Sequence, residues 1–288
     1  MKLYGVTCVF NEENLVPFVM DYMVRWGYDR FVIYDNGSND KTVELLKAYP
    51  FIEVRNFDTE NVFDECKRKD IIKNTVLELQ EWNRENGNEI AWITVSDFDE
   101  VCFSLCEDVK SYLECMTWCG YNVCTEHIAD LILRCDPICA KGFAHKDVSA
   151  RVSPLSPFGW NKPTLFRLDN LLDFDFCAGN HFARFEFGNE SKQFYGNGVI
   201  LRFHMKHLFK RFFIEHSLNL SHRNYIHPDV VEINVYEKRT QQQLCEAWEQ
   251  MYSEAIPADQ YVLNKIFERN DTDEHGHQLI GYGDGWWG

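Results

Sequence analysis

The chain has 288 residues, of which 45% are hydrophobic and 15% are aromatic, so it is long and apolar enough to bury a globular core. Its formal net charge of −16 argues against general nucleic-acid binding, which needs a basic surface. The apolar run near the amino terminus, residues 3–10, is too short for a signal peptide or a membrane span. We therefore expect a cytoplasmic protein.

The eleven cysteines have two interpretations. In three pairs the partners are separated by three residues, whereas zinc knuckles typically have two. We interpret these thiols as buried and reduced, as in an intracellular protein, and keep a zinc site as the alternative. The pairs are Cys102/Cys106, Cys115/Cys119 and Cys135/Cys139.

The first hundred residues predict an alternation of strands and helices. Apolar runs indicate strands at residues 3–10, 31–34, 52–57 and 90–96. Capping residues and helical periodicity indicate helices at residues 15–26, about 41–49 and 62–83. Asn14 and Asp40 are candidate caps, and Ile71, Ile72, Val76 and Leu79 form the apolar face of the long helix.

This alternation predicts the fold class, an α/β protein with a mostly parallel sheet flanked by helices. The carboxyl ends of such strands meet at one crevice, where ligands bind open α/β sheets. We therefore expect Asn11, Asp35, Asp97 and Asp99 to lie near each other.

The second half of the chain predicts shorter strands and turns. Prolines interrupt it, and we expect antiparallel additions over residues 121–187. Helices are predicted at 203–220 and 241–254, and the Gly-rich acidic tail at 271–288 is predicted to be irregular. No linker-like stretch separates the halves, so we predict one domain over residues 1–288.

A pair of carboxylates ends the strand predicted at residues 90–96. In an extended chain Asp97 and Asp99 point to the same side, where they repel each other unless a cation lies between them. A divalent cation bound by both carboxylates would remove that repulsion. Its position at the carboxyl end of a strand, where ligands bind open α/β sheets, suggests a phosphate-bearing substrate. The alternative is a strand that ends in a solvated acidic turn.

Three motifs in order, each at the end of a predicted strand, resemble a family 2-type glycosyltransferase with the GT-A fold. They are CVFNEE at residues 8–13, IYDNGSNDKT at 33–42 and SDFDE at 96–100. The resemblance is looser in the second half, through KPTLFR at 162–167, GNHF at 179–182 and LRFHMK at 201–206.

The resemblance implies transfer of a sugar from a nucleotide-diphosphate sugar, such as a UDP- or GDP-sugar, to a saccharide or lipid-linked saccharide. Such a reaction would serve surface polysaccharide or glycan synthesis. Residues 1–100 would bind the donor, residues 101–225 would form the acceptor and catalytic half, and residues 226–288 would be a helical extension and tail. Manganese or magnesium would be the cofactor.

The resemblance also implies roles for individual residues. Asp97 would face the metal or the ribose, and Asp99 would bind the metal. Asn11 and Asp35, with Asn36, would grip the base and ribose.

Two histidines follow in the second half. His204 is the candidate third metal ligand, because the family often supplies a late histidine from the far side of the crevice. His181 is the second choice as a ligand, or lines the acceptor site. Either could instead be a histidine satisfied in the core or at the surface.

Basic residues are candidates to neutralise the diphosphate. Lys206, with Lys162, comes first, and Arg68 beside Lys69 invites the same interpretation. The alternatives for the basic segment 202–211 are a solvated helix face and, third, peripheral contact with an anionic membrane that carries a lipid-linked acceptor.

An inverting enzyme also needs a carboxylate base for the acceptor hydroxyl. Asp130 matches the position of an aspartate in similar sequences, although the arginine that often follows is absent, and Asp147 is the second candidate. Either could be a capping or salt-bridged residue, and a retaining enzyme would need no such base.

Two other functions remain open on the sequence. A nucleotidyltransferase would also use a carboxylate-bound metal, but it normally has a Gly-rich basic loop after the first strand, where this chain has Asn11-Glu12-Glu13. A non-catalytic nucleotide- or sugar-binding protein is the third hypothesis.

Overall fold

The computed structural model describes residues 1–57, 62–104, 108–132, 151–154, 161–176, 183–189, 192–195, 200–205, 208–221, 224–227, 230–233 and 239–257.

The first part of the chain alternates strands and helices, as predicted. Its elements are β1 (Lys2–Val9), α1 (Val16–Trp26), β2 (Arg30–Asp35), α2 (Thr42–Leu46), β3 (Ile52–Asn56), β4 (Val62–Asp64), α3 (Glu65–Glu85) and β5 (Ala91–Val95).

The second part mixes short strands with three helices. Its elements are β6 (Glu100–Ser104), α4 (Val109–Trp118), β7 (Tyr121–Ile132), β8 (Arg151–Pro154), β9 (Asn161–Arg167), β10 (Leu171–Phe176), β11 (Ala183–Phe187), β12 (Lys192–Tyr195), β13 (Ile200–His204), α5 (Lys210–Ser221), β14 (Asn224–His227), β15 (Val230–Ile233), α6 (Gln241–Glu254) and β16 (Ile256–Pro257).

The main sheet has the strand order β16-β8-β7-β9-β5-β1-β2-β3 along its path. Strand β1 pairs in parallel with β2 on one side and with β5 on the other, and β2 pairs in parallel with β3. Strand β9 lies antiparallel between β5 and β7. The predicted fold class, a mostly parallel α/β sheet with antiparallel additions, is confirmed.

The sheet core follows the period-two alternation of β2. Phe31 and Ile33 pack on one side with residues of α1 and α5, whereas Val32 and Tyr34 pack on the other side with α3. On α3, the predicted apolar face is confirmed, since Ile72, Val76 and Leu79 are buried and Ile71 is partly buried. Helices therefore cover both faces of the sheet.

Several predicted element boundaries are wrong. The helix predicted at 62–83 is preceded by β4, which pairs with the distant β14, and α3 starts at Glu65. Asp64 caps α3, because its Oδ1 accepts a hydrogen bond from the amide of Lys67 at 3.0 Å. Asn14 caps no helix through its side chain, since α1 begins after Leu15 without such a bond.

The helix predicted at 203–220 also needs correction. Its first residues belong to β13, which pairs with β6 and β7, and α5 begins only at Lys210. Pairing on both edges favours the extended conformation over a local helical preference. The helix predicted at 241–254 is confirmed as α6, with a capping box between Thr240 and Gln243, and α4 was not predicted as a helix.

The described cysteines are free thiols. Cys102 is buried, as predicted, but Cys115 and Cys119 are exposed because they lie on the outer face of α4 and at its end. Cys106, Cys135 and Cys139 lie outside the described residues. Among the helices described, none has the length and apolarity needed to cross a membrane.

Candidate donor-binding site

Three polar loops meet where β2, β1 and β5 end, because these strands are neighbours and run in parallel. The hydroxyl of Thr7 in β1 donates a 2.6 Å hydrogen bond to the carbonyl oxygen of Ser96, directly after β5. The sequence prediction that Asn11, Asp35 and the Asp97/Asp99 pair belong to one edge of the sheet is thus consistent with the observed strand order.

Asn11 ties the loop after β1 to the loop after β2. Its backbone has a positive φ of 51°, a conformation that asparagine tolerates better than most residues. Its amide donates to Ser38 Oγ at 2.9 Å, and its Oδ1 accepts a hydrogen bond from the amide of Asn39 at 2.9 Å. Asn11 therefore shapes the two loops, and contact with a base remains a prediction.

The next two residues continue this connection between the loops. The amide of Glu12 donates to Thr42 Oγ1 at 2.7 Å, and the amide of Glu13 donates to Asp40 Oδ2 at 3.1 Å. In return, Glu13 Oε2 accepts a hydrogen bond from the amide of Lys41 at 3.0 Å. Asp40 thus joins the two loops. The prediction that it caps the following helix is wrong, because the N-cap of α2 is Lys41 and no side chain caps it, although Asp40 Oδ1 accepts a hydrogen bond from the amide of Thr42 at 2.9 Å.

Asp35 and Asn36 differ in their environment. The carboxylate of Asp35 is half-buried and accepts the amide hydrogen of Ser38, with N–O distances of 3.1 and 3.3 Å. Asn36 is buried, and its Nδ2 donates to the carbonyl oxygen of Phe57 at 2.6 Å. Asp35 is the more accessible of the two residues to a ligand.

The two aspartates after β5 are unequal. The side chain of Asp97 is 42% exposed, whereas Asp99 as a residue is only 8% exposed. The amide of Met205, which follows β13, donates to the carbonyl oxygen of Asp99 at 2.6 Å. The end of β13 thereby fixes the backbone of the acidic turn.

A buried lysine on β9 contacts this acidic turn. The Nζ of Lys162 lies 2.6 Å from Glu100 Oε1 and 3.3 Å from Asp97 Oδ2. Burial lowers the pKa of Lys162, but the carboxylates of Asp97 and Glu100 more than offset this effect and the pKa is raised overall. Lys162 is therefore a charged ammonium group inside the protein.

Arg68 on α3 lies on the other side of Asp97. It forms a two-point salt bridge with Glu65, with distances of 2.6 Å from Nε and 2.5 Å from Nη2, and both side chains are buried. Its Nη1 is 3.9 Å from Asp97 Oδ1. Burial lowers the pKa of Arg68, but Glu65 and then Asp97 raise it by more, so the guanidinium is charged.

The strand register places two other candidates together. His204 in β13 is the Cα partner of Glu100 in β6 and of Asp130 in β7. The register relates the backbones of these residues, and the roles expected of His204 and Asp130 remain predictions. Asp147, His181 and Lys206 lie outside the described residues.

The sequence did not reveal a partly buried contact between the first loop and α5. Glu12 Oε1 lies 3.0 Å from His216 Nδ1, and Asn14 Nδ2 donates to Glu215 Oε2 at 3.1 Å. Burial raises the pKa of Glu12, the neighbouring His216 opposes that increase, and the charge of Asp99 adds to it. Glu12 was visible within its motif, but its partner could not be inferred from spacing.

Residues 5–117 match the family model described as glycosyltransferase family 92. This stretch includes all three strand-end motifs, and the match supports a glycosyltransferase. No curated protein matches the chain.

The solved structures that match this chain include three with low sequence identity to it. For S. aureus TarS the identity is 12% and the TM-score 0.41, over 94% of this chain and 44% of TarS. For a 4-diphosphocytidyl-2C-methyl-D-erythritol synthase the identity is 13% and the TM-score 0.31, over 58% of this chain and 76% of the synthase. For the synthase from Anaerococcus prevotii DSM 20548 the identity is 9% and the TM-score 0.25, over 92% of this chain and 95% of that synthase. The chain thus spans less than half the length of TarS.

Proposed function

We propose that this chain is a cytoplasmic, metal-dependent glycosyltransferase that transfers a sugar from a nucleotide-diphosphate sugar to a saccharide acceptor. The observation that carries the proposal is the convergence of three polar loops after the adjacent parallel strands β2, β1 and β5. Ligands bind open α/β sheets at such an edge. The family match supports the same proposal, because residues 5–117 include all three loops.

We propose that a hard divalent cation binds at the acidic turn. The described residues contain no group of three or more His, Cys, Asp or Glu side chains suited to a metal. Magnesium in nucleotide enzymes usually has one or two carboxylate ligands and completes its shell with substrate phosphates and water. Asp99 and Asp97 would hold Mn²⁺ or Mg²⁺ in this way, with His204 as a third ligand, and the ion would stabilise negative charge on the departing diphosphate.

The remaining donor contacts are assigned by accessibility. Half-buried Asp35 is the residue we propose for the ribose, and Asn11 and Asn36 hold the loops that form the base site. Arg68 and Lys162 are buried and paired with Glu65 and Glu100. We therefore propose that these two cations act on the donor through Asp97, and that Lys206 is the candidate for direct contact with the diphosphate.

The acceptor side is proposed from the second half of the chain. Asp130 is the candidate base in an inverting reaction, because its backbone lies beside His204 in the strand register. Asp147 is the second candidate, and His181 would contact the acceptor. The acceptor is a saccharide or lipid-linked saccharide of surface polysaccharide or glycan synthesis, with peripheral membrane contact as a further proposal for the basic segment.

The loop after β1 argues against a nucleotidyltransferase. That class normally places a Gly-rich basic loop there to bind the triphosphate. Here the loop contains Glu12 and Glu13, whose backbone and side-chain atoms are engaged by the loop after β2 and by His216.

The test is donor hydrolysis and sugar transfer with UDP- and GDP-sugars, with and without Mn²⁺. The wild type is expected to turn over only with the metal, and Asp99→Ala is expected to lose about 100-fold or more in kcat/KM, since a first ligand to the metal is removed. The matched control is Asp173→Ala, which removes a half-exposed aspartate paired with Lys73 at 3.0 Å. Equal activity of wild type and Asp99→Ala, with and without Mn²⁺, would refute the mechanism. Calorimetric nucleotide binding without turnover would favour a non-catalytic binding protein.

A further inference from the structure

We propose that Lys162 is a positioning residue, whose buried ammonium group is anchored by Glu100 and orients the carboxylate of Asp97. The inference rests on the proposed function, because Asp97 is one of the two acids assigned to the metal and donor.

Lys162 and Glu100 lie in the interior, whereas Asp97 is accessible to solvent. The side chains of Lys162 and Glu100 are 4% and 3% exposed, whereas that of Asp97 is 42% exposed. The ammonium therefore lies beneath Asp97, with the shorter contact of 2.6 Å to Glu100 and the longer one of 3.3 Å to Asp97. From this buried position Lys162 would act on a ligand through the more accessible Asp97.

The strand register explains why a residue so distant in sequence occupies this place. Strands β5 and β9 are antiparallel, with Ile93 opposite Phe166 and Thr94 opposite Leu165. Lys162 is the second residue of β9 and Asp97 is the second residue after β5, so the pairing of these two strands brings their side chains to a distance of 3.3 Å. The backbone of Lys162 is thus held by the central sheet.

The local charges explain why a cation is needed there. Asp97, Asp99 and Glu100 lie within four consecutive residues, and mutual repulsion would push Asp97 away from the turn. The nearby Arg68 is engaged at two points by Glu65 and lies farther from Asp97, at 3.9 Å. Lys162 is therefore the closer counter-charge and also balances the buried Glu100.

The experiment compares Lys162→Met, Glu100→Gln and the double variant. Thermal unfolding gives the Tm of each protein, and calorimetry gives its affinity for Mn²⁺ with UDP or GDP. Lys162→Met alone should lower the Tm by several degrees, because Glu100 is left buried without its counter-charge. The double variant removes both charges and should recover most of the Tm. Its affinity for Mn²⁺ and nucleotide should nevertheless stay roughly 10- to 100-fold weaker than that of the wild type, as for other residues that orient metal ligands.

Recovery of both Tm and affinity in the double variant would overturn the proposal, since a purely structural pair would be dispensable once both charges are gone. Lys162→Arg keeps the positive charge and should restore part of the affinity. The matched control is Lys73→Met, which removes a lysine from the more exposed ion pair with Asp173 and should leave the affinity unchanged.

A separate readout distinguishes failure of this inference from failure of the proposed function. If the wild type binds neither Mn²⁺ nor nucleotide, the proposed function is contradicted. The contact between Lys162 and Asp97 is then tested by the Tm of the single and double variants. The Tm changes of Lys162→Met and Asp97→Asn should not add in the double variant if the ammonium holds Asp97. Additive changes would overturn the inference.

Discussion

The hydroxyl of Thr7 donates a 2.6 Å hydrogen bond to the carbonyl oxygen of Ser96 inside the protein. Thr7 belongs to β1 and Ser96 immediately precedes Asp97, so this bond connects the central strand to the base of the acidic turn. It links the residue just before the first strand-end motif to the first residue of the third motif.

Replacing Thr7 by valine should therefore destabilise the protein and disturb the acidic turn. A buried carbonyl that loses its donor costs about 1–3 kcal/mol of unfolding free energy. Urea unfolding measures this loss, and Thr7→Ser, which keeps the hydroxyl, should behave like the wild type. Equal stability of Thr7→Val and Thr7→Ser would show that the bond contributes nothing.

Gly5 in β1 provides a packing prediction. A Cβ at this position would lie 2.7 Å from Cζ of Phe31, and closer still to Cε2 and Cδ2, in a ring that is fully buried. Gly5→Ala should lower the unfolding free energy by about 1–3 kcal/mol, the usual cost of overpacking a core. Combining it with Phe31→Leu should cost less than the sum of the two single changes, because the smaller side chain leaves room for the methyl group. Additive costs would contradict this account.

The environment of Asp29 leads us to expect that the unfolding free energy falls in acid. Burial raises its pKa, but hydrogen bonds from Lys110 Nζ at 2.6 Å and from the amide of Leu3 at 2.9 Å, with the charges of Lys110 and Lys2, lower it by more. In the folded protein the pKa of Asp29 is therefore below its ordinary value of 3.8. The ionised carboxylate stabilises the fold fully above pH 3.8, and this contribution is lost as the pH falls through the lower pKa of the folded state.

Asp29→Asn should thus lower the unfolding free energy at pH 7 by about 1–3 kcal/mol. The difference from wild type should shrink progressively below about pH 4, where the unfolded carboxyl takes up its proton. Urea titrations at pH 7 and pH 3 check this, with Asp21→Asn as a control that removes an exposed i,i+4 pair with Arg25. A difference that is constant with pH would contradict the ionic role.

The cap of α3 gives a local prediction with a consequence for the site. Asp64 accepts a hydrogen bond from the amide of Lys67 at 3.0 Å, and Lys67 directly precedes Arg68 in the chain. Asp64→Ala should lower the unfolding free energy by about 1 kcal/mol, whereas Asp64→Ser should keep most of the stability of the wild type, because serine also caps helices. Because Arg68 faces Asp97 from this first turn, hydrogen exchange at the start of α3 should rise in the alanine variant. Unchanged exchange there would indicate that packing alone fixes the turn.

The strands and helices of the first hundred residues could be predicted because their signals are local. Hydrophobic periodicity predicted α3 through Ile72, Val76 and Leu79, and polar residues after apolar runs predicted Asn11, Asp35 and Asp97 at strand ends. The parallel direction of these strands followed from the alternation of strands and helices, whereas the order β5-β1-β2-β3, with β5 beside β1, was not predicted. The prediction at 203–220 was wrong because β13 pairs with β6 and β7, which no local pattern records.

The chain's own pattern of apolar and polar residues determined the strands β1, β2, β3 and β5 and the acids that follow β2 and β5. Only the tertiary structure decided that Lys162 lies beneath Asp97 and that His216 meets Glu12, since each pair joins segments far apart in the chain. The physical reason is that periodicity reports the face that a residue presents to the core. The partner on that face is chosen by strand order, register and helix packing, which depend on the whole fold.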